Sequence, residues 1–130
     1  MSATDDRRLL VACLCAEWCG SCRDYRATFA ALAERFSADA DFAWIDIEDE
    51  SDALGDPDIE NFPTLLLADG GGLRFLGAVT PHAATAERLV QNALAGALPS
   101  IGGEEAELAD RARTLIGTRK GGVSPQSRAE

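Results

Sequence analysis

Leu9-Leu10-Val11-Ala12-Cys13-Leu14-Cys15-Ala16-Glu17-Trp18-Cys19-Gly20-Ser21-Cys22-Arg23 is the stretch that decides the fold. Leu9 to Cys15 is apolar throughout, which predicts a buried strand. From about Cys19 to Phe36 the apolar residues Cys22, Tyr25, Phe29, Leu32, Ala33 and Phe36 recur at i, i+3, i+4 spacing, which predicts a helix. Cys19 and Cys22 therefore fall on a strand-to-helix junction, where a Cys-x-x-Cys pair is a redox arrangement. At the start of a helix, free backbone N–H groups and the helix dipole favour a thiolate. Cys22 lies one turn further in, placed to close or reopen a disulfide with Cys19.

The chain has 130 residues, enough for one domain with a real core, and 46% of them are hydrophobic against 26% charged. A net charge of -10 argues against binding nucleic acid or an anionic membrane without specificity. All four cysteines (Cys13, Cys15, Cys19, Cys22) are clustered, whereas a secreted disulfide scaffold would spread them along the chain. Arg7-Arg8 before Leu9 to Cys13 has the look of a lipoprotein signal, but its apolar core is shorter than the roughly 7–15 residues a signal needs. With no run near the roughly 20 apolar residues of a membrane span, the expected location is cytoplasmic.

Further along, Phe42 to Ile47 predicts a second strand. An acidic connection, Glu48 to Asn61, follows, with a short helix expected near Ile59. A third strand begins at Phe62-Pro63-Thr64, Asp69 to Gly72 is a hairpin turn, and Leu73 to Gly77 is a fourth strand. Thr80 as cap and Pro81 in the first turn predict a helix that buries Ala86, Leu89, Val90, Ala93 and Leu94 and ends at Gly96. Residues 1–99 are thus expected to form one domain and 100–130 a C-terminal appendage. The appendage is expected to hold a short amphipathic helix at about 104–116, burying Leu108, Ala112, Leu115 and Ile116, then a mobile tail.

Ala16 to Cys22, followed some way on by Phe62-Pro63-Thr64, resembles the thioredoxin family over roughly residues 8–98. The resemblance implies an α/β fold with a central mixed sheet flanked by helices, here shortened at the N-terminus and carrying an extra C-terminal helix. It implies that Cys19 attacks a substrate disulfide and that Cys22 resolves the mixed disulfide. Trp18 would be the flat apolar residue beside the reactive sulfur, and Pro63 a cis-proline packed against the disulfide. The Phe62 backbone would pair with an extended substrate segment, and Gly77 would help line the substrate groove.

The departures from the family pattern are equally specific. Ser21 stands where the family usually has proline. Cys13 stands where it has a buried aspartate that assists the resolving cysteine, and Trp44 where a lysine often accompanies that aspartate. A large aromatic expected near the position of Cys15 is absent. About eight residues precede the first strand, so the family's initial strand and helix have no room, and one sheet edge would be bare unless the appendage or a partner covers it.

Cys13 and Cys15 share one face of their strand, either as small buried hydrophobes or as auxiliary redox thiols, with Cys13 exchanging with Cys22. Zinc and a bridged iron–sulfur cluster are the minority readings of the four thiols, because a second Cys-x-x-Cys knuckle is lacking. In the acidic run Ser51 stands where a calcium loop needs glycine, so that run reads as a solvated face. His82, the only histidine, is assigned no role. The expected function is thiol–disulfide exchange in cell redox homeostasis, with protein disulfides or dithiols as substrates and a reductase as a candidate electron donor. No metal or organic cofactor is implied; the Cys19–Cys22 disulfide carries the electrons. Nucleic acid and membrane are not expected partners, and a homodimer is one way to cover the bare edge. The competing classes are a binding module with little turnover and a cluster-binding variant.

Overall fold

The computed structural model describes residues 8–16, 20–55, 63–79 and 82–121. Their elements run β1 (Leu9–Cys15), α1 (Gly20–Phe36), β2 (Ala40–Asp46), α2 (Ser51–Leu54), β3 (Thr64–Asp69), β4 (Gly72–Ala78), α3 (Ala83–Leu94) and α4 (Glu104–Gly121). The strands form one mixed sheet in the order β2-β1-β3-β4. β1 pairs parallel with β2 across the α1 crossover and antiparallel with β3, and β3 and β4 form an antiparallel hairpin. Every residue of β1 is buried, as a central strand covered on both faces requires.

Strand alternation divides the core in two. Leu9, Val11, Cys13 and Cys15 point with Leu65 and Leu67 to the face covered by α1 and α3. Leu10, Ala12 and Leu14 point with Leu66 and Ala68 to the opposite face, covered by Leu54 of α2 and by Leu108, Ala109, Ala112 and Ile116 of α4. On the first face the helices are also tied by an ion pair from Arg35 Nη1 to Glu87 Oε1 at 2.8 Å. At the start of β1, Arg8 donates from Nε to Asp41 Oδ1 at 3.1 Å and from Nη2 to the Ser37 carbonyl at 2.7 Å. One guanidinium thereby holds the turn that feeds β2 against the neighbouring strand.

Several boundaries differ from expectation. β2 starts at Ala40 and ends at Asp46, and β3 starts at Thr64. The acidic connection holds the single-turn α2; the helix expected near Ile59 lies outside the described residues. α3 is capped by His82, whose backbone is extended (φ -81°, ψ 126°) and which makes no side-chain capping bond; Thr80 is not the cap. Thr80 and Pro81 lie outside the described residues. Ala86, Val90 and Ala93 are buried as expected, Leu89 is half-buried, and Leu94 is 39% exposed because it lies at the helix's last position. Gly96 closes the helix in the left-handed region (φ 75°), where glycine carries no Cβ penalty.

α4 runs through Gly117 to Gly121 rather than stopping near Ile116. One interior glycine costs only about 1 kcal/mol, too little by itself to stop the helix. The segment before α4 touches the other sheet edge, where the Ile101 N–H donates to the Leu73 carbonyl at 2.7 Å. Beside β2, no further strand pairs on its outer side among the described residues.

Candidate active site

β1 ends at Cys15 and α1 begins at Gly20, so the Cys-x-x-Cys segment lies between a strand end and a helix start in the chain. Cys22, the third residue of α1, is 2% exposed and packs in the same core cluster as Cys13 and Cys15. Leu14 pairs with Thr64, so Pro63 falls one step beyond that pair, at the level of Cys15. Pro63 is buried, and its carbonyl accepts a bond from the Val79 N–H at 3.0 Å. Gly77 pairs with Leu65 at the same end of the sheet, and a Cβ there would meet the Phe75 ring at 3.3 Å. The topology therefore gathers Cys22, Pro63 and Gly77 at one end of the sheet. Glu17, Trp18, Cys19 and Phe62 lie outside the described residues.

Directly beneath α1 lies a cluster of buried sulfur and phenol. The Sγ atoms of Cys13 and Cys15 are 3.5 Å apart, with the two residues 0% and 1% exposed. Tyr25, one turn after Cys22 on α1, brings a hydroxyl that has no hydrogen-bond partner and is the one such buried side-chain atom among the described residues. Burial pushes its pKa up to about 12, and the Cys13 and Cys15 sulfurs push the same way. Trp44, the register partner of Cys13 on β2, packs half-buried against this cluster, with the Phe29 ring 5.8 Å away edge-on.

The raised phenol has a stability consequence with a definite sign. An unfolded tyrosine ionises near pH ~10, while the folded Tyr25 holds its proton to about 12. Stability should be unaffected below that window and fall as pH rises through it, by on the order of 2–3 kcal/mol. Tyr25→Phe should remove this component and leave stability at neutral pH equal or higher by about 1 kcal/mol, since an unmet buried hydroxyl is lost. Urea midpoints under reducing conditions from pH 8 to pH 12 test this; parallel curves for the two proteins would refute it.

On the β2 side a cleft of about 420 Å³ reaches Cys22 between Arg23, Arg26, Trp44, Asp46 and Glu50. The Arg26 guanidinium lies 4.5 Å above the Trp44 ring, a cation–π contact. Asp46 organises the acidic turn itself, its Oδ1 accepting from the Glu48 and Asp49 N–H groups at 2.8 and 3.2 Å. His82 is exposed at the start of α3. The spacing places Tyr25 in an apolar stripe but does not signal that its hydroxyl stays unpaired in the cluster that holds the thiols. The Arg26–Trp44 contact was equally unsignalled, because it joins a helix to a strand whose side-by-side placement only the fold supplies.

Comparisons with known proteins agree with this architecture. The protein-family model described as Thioredoxin matches residues 2–93. Thioredoxin H2-2 of Oryza sativa subsp. japonica is 37% identical over 68 residues, 52% of this chain and 50% of that relative. Thioredoxin-2 of Saccharomyces cerevisiae is 33% identical over 64 residues, 49% of this chain and 61% of that relative. The chain spans about half the length of the curated plant relatives it matches. Among solved structures, thioredoxin NaTrxh from Nicotiana alata superposes with a TM-score of 0.58 at 26% identity, covering 66% of this chain and 73% of that one. Schistosoma mansoni thioredoxin gives 0.60 at 24% identity, covering 68% and 80%. The mixed sheet with its flanking helices is the thioredoxin fold, and with the family model spanning most of its length the chain belongs to the thioredoxin family.

Proposed function

We propose that the chain is a thiol–disulfide oxidoreductase acting on protein disulfides or dithiols through Cys19 and Cys22. The observation that carries this reading is the placement of Cys22 on the first turn of α1, level with the end of β1 and with Pro63. Cys19 immediately precedes the helix, whose free N–H groups favour an anionic sulfur beside them. In the reducing direction the Cys19 thiolate attacks one sulfur of the substrate disulfide, the other leaves as a thiolate, and a mixed disulfide forms. Cys22 then attacks Cys19, the substrate leaves reduced, and the chain keeps the disulfide. Trp18, Phe62, Pro63 and Gly77 are the proposed groove for an extended substrate segment, and no metal or organic cofactor enters the reaction. A cytoplasmic site of action, a reductase as electron donor and a homodimer across the open side of β2 belong to the same proposal. Among the described residues no helix is long and apolar enough to cross a membrane.

The direct test is reduction of insulin by dithiothreitol in the presence of the full chain. The expected result is accelerated precipitation of the insulin B chain. A folded protein whose Cys19 alkylates readily but gives no acceleration would leave a binding module as the better reading. One observation favours that second reading: Cys13 and Trp44 occupy the places of the family's proton-handling aspartate and lysine.

A further inference from the structure

Cys13 and Cys15 play no part in the exchange just described, yet they are not arranged like inert core residues. Their sulfurs turn toward one another to 3.5 Å instead of packing into separate apolar holes. Cys22 shares their cluster and lines the cleft beside it, while Cys13 and Cys15 lie beneath at 0% and 1% exposure. The one buried hydroxyl among the described residues without a partner, that of Tyr25, belongs to the same cluster. A neutral phenol that keeps its proton is a ready donor to a sulfur that becomes anionic. Residues two apart on a strand are about 6.6 Å apart along it, at the far end of the roughly 4.4–6.8 Å Cα separation a disulfide spans, and their Cβ atoms must draw in to about 3.5–4.5 Å for the bond to close. Cys15 is the last residue of β1, so the tightening that bond requires falls at the strand end, where it must loosen the pairing of Cys15 with Asp46 and the bond from the Ile47 N–H.

We propose that Cys13 and Cys15 are a second, buried redox dithiol, loaded from Cys22 by exchange inside the protein. The proposal rests on the reading of Cys19 and Cys22 as the external redox pair. Starting from the Cys19–Cys22 disulfide, the Cys15 sulfur attacks Cys22. The Cys15–Cys22 bond forms, the Cys19–Cys22 bond breaks, and the Cys15 proton passes to the departing Cys19 sulfur. Cys13 then attacks Cys15. The Cys13–Cys15 bond forms, Cys22 departs and takes the Cys13 proton. One disulfide has moved inward, two thiols have been restored outside, and no further oxidant is consumed. Reduction of a second substrate disulfide can then refill Cys19–Cys22, so one chain stores two disulfides. Burial explains why the inner pair needs this route: no external reagent reaches sulfurs that are 0% and 1% exposed.

The test uses the full-length chain equilibrated with graded ratios of oxidised to reduced glutathione, then acid-quenched and alkylated with N-ethylmaleimide. Cleavage after Glu17 separates Cys13 and Cys15 from Cys19 and Cys22. The expected result is two disulfides per chain at the oxidising end, one within each peptide. Cys22→Ser should leave Cys13 and Cys15 as thiols under the same conditions. Cys13→Ala should instead trap Cys15–Cys22, seen as the two peptides joined across the cleaved bond. A native chain that stops at one disulfide, Cys19–Cys22, with the inner peptide fully alkylated, would overturn the inference and leave the proposed function standing. A Cys13–Cys15 disulfide in folded Cys22→Ser would overturn the internal route. A chain that forms no disulfide at any ratio would remove the proposed function and the inference together.

Discussion

Cutting the chain after Gly103 is expected to unfold it rather than shorten it. The truncation removes Leu108, Ala109, Ala112 and Ile116, which with Leu54 cover the sheet face carrying Leu10, Leu14 and Leu66. Losing a single buried leucine or isoleucine side chain costs about 2–5 kcal/mol, and a domain of this size has roughly 5–15 kcal/mol to lose. Two such residues and two alanines leave together, and the bared strands become a surface prone to aggregation. A milder variant, Ala112→Arg, puts a charge at a position that is 0% exposed against the sheet and should cost more than about 3 kcal/mol. Thermal melting by circular dichroism and gel filtration check both. A cooperative melt within a few degrees of the full chain's for either variant would show that α4 does not hold this face.

The other large effect concerns turnover. Cys19→Ser should reduce insulin no faster than dithiothreitol alone, because serine supplies no thiolate to open the substrate disulfide. Cys22→Ser should lose sustained turnover just as completely, by a different route. Its Cys19 still attacks, but the mixed disulfide has no neighbouring thiol to release it. With oxidised substrate and no dithiothreitol, a covalent adduct should therefore accumulate to one substrate per chain on a non-reducing gel, and vanish on adding excess thiol. Residual turnover in Cys22→Ser near the wild-type rate would mean that another thiol resolves the intermediate. Cys13 and Cys15, in the same core cluster as Cys22, are the candidates, and Cys13→Ala and Cys15→Ala in the Cys22→Ser background decide between them.

The part of the fold visible in the sequence is the part written locally. The apolar run Leu9 to Cys15, the stripe on α1 and the Asp69–Gly72 turn each carry their own signal, and all appear where the pattern puts them. The ends of elements were harder. Thr80-Pro81 has a good starting signature, yet the helix begins at Ala83 because His82 is still extended. Gly117 looked like a stop, yet α4 continues to Gly121. Tyr25 shows the limit most clearly. Its spacing identifies a buried face, but whether a hydroxyl on that face finds a partner depends on what the sheet places beneath it. Of the candidate site, Cys22, Pro63 and Gly77 were legible from motif and order. The approach of Cys13 to Cys15, the Arg26–Trp44 contact and the cleft beside them arise between elements, and no local pattern announces them.

Arg113 reaches from α4 to the far end of the sheet, donating through Nη2 to the Arg8 carbonyl at 3.2 Å and to the Ala68 carbonyl at 3.1 Å. These bonds close a loop of 105 residues between the start of β1 and the last helix. During synthesis that loop stays open until Arg113 has been added, 105 residues after Arg8, at about 5–20 residues per second. For several seconds, then, β1 carries its cysteines in a chain whose second sheet face has no cover. The nascent protein holds a bare apolar face until the helix carrying Leu108 and Ile116 is made, while its buried cysteines belong to the other side of the sheet, under α1 and α3.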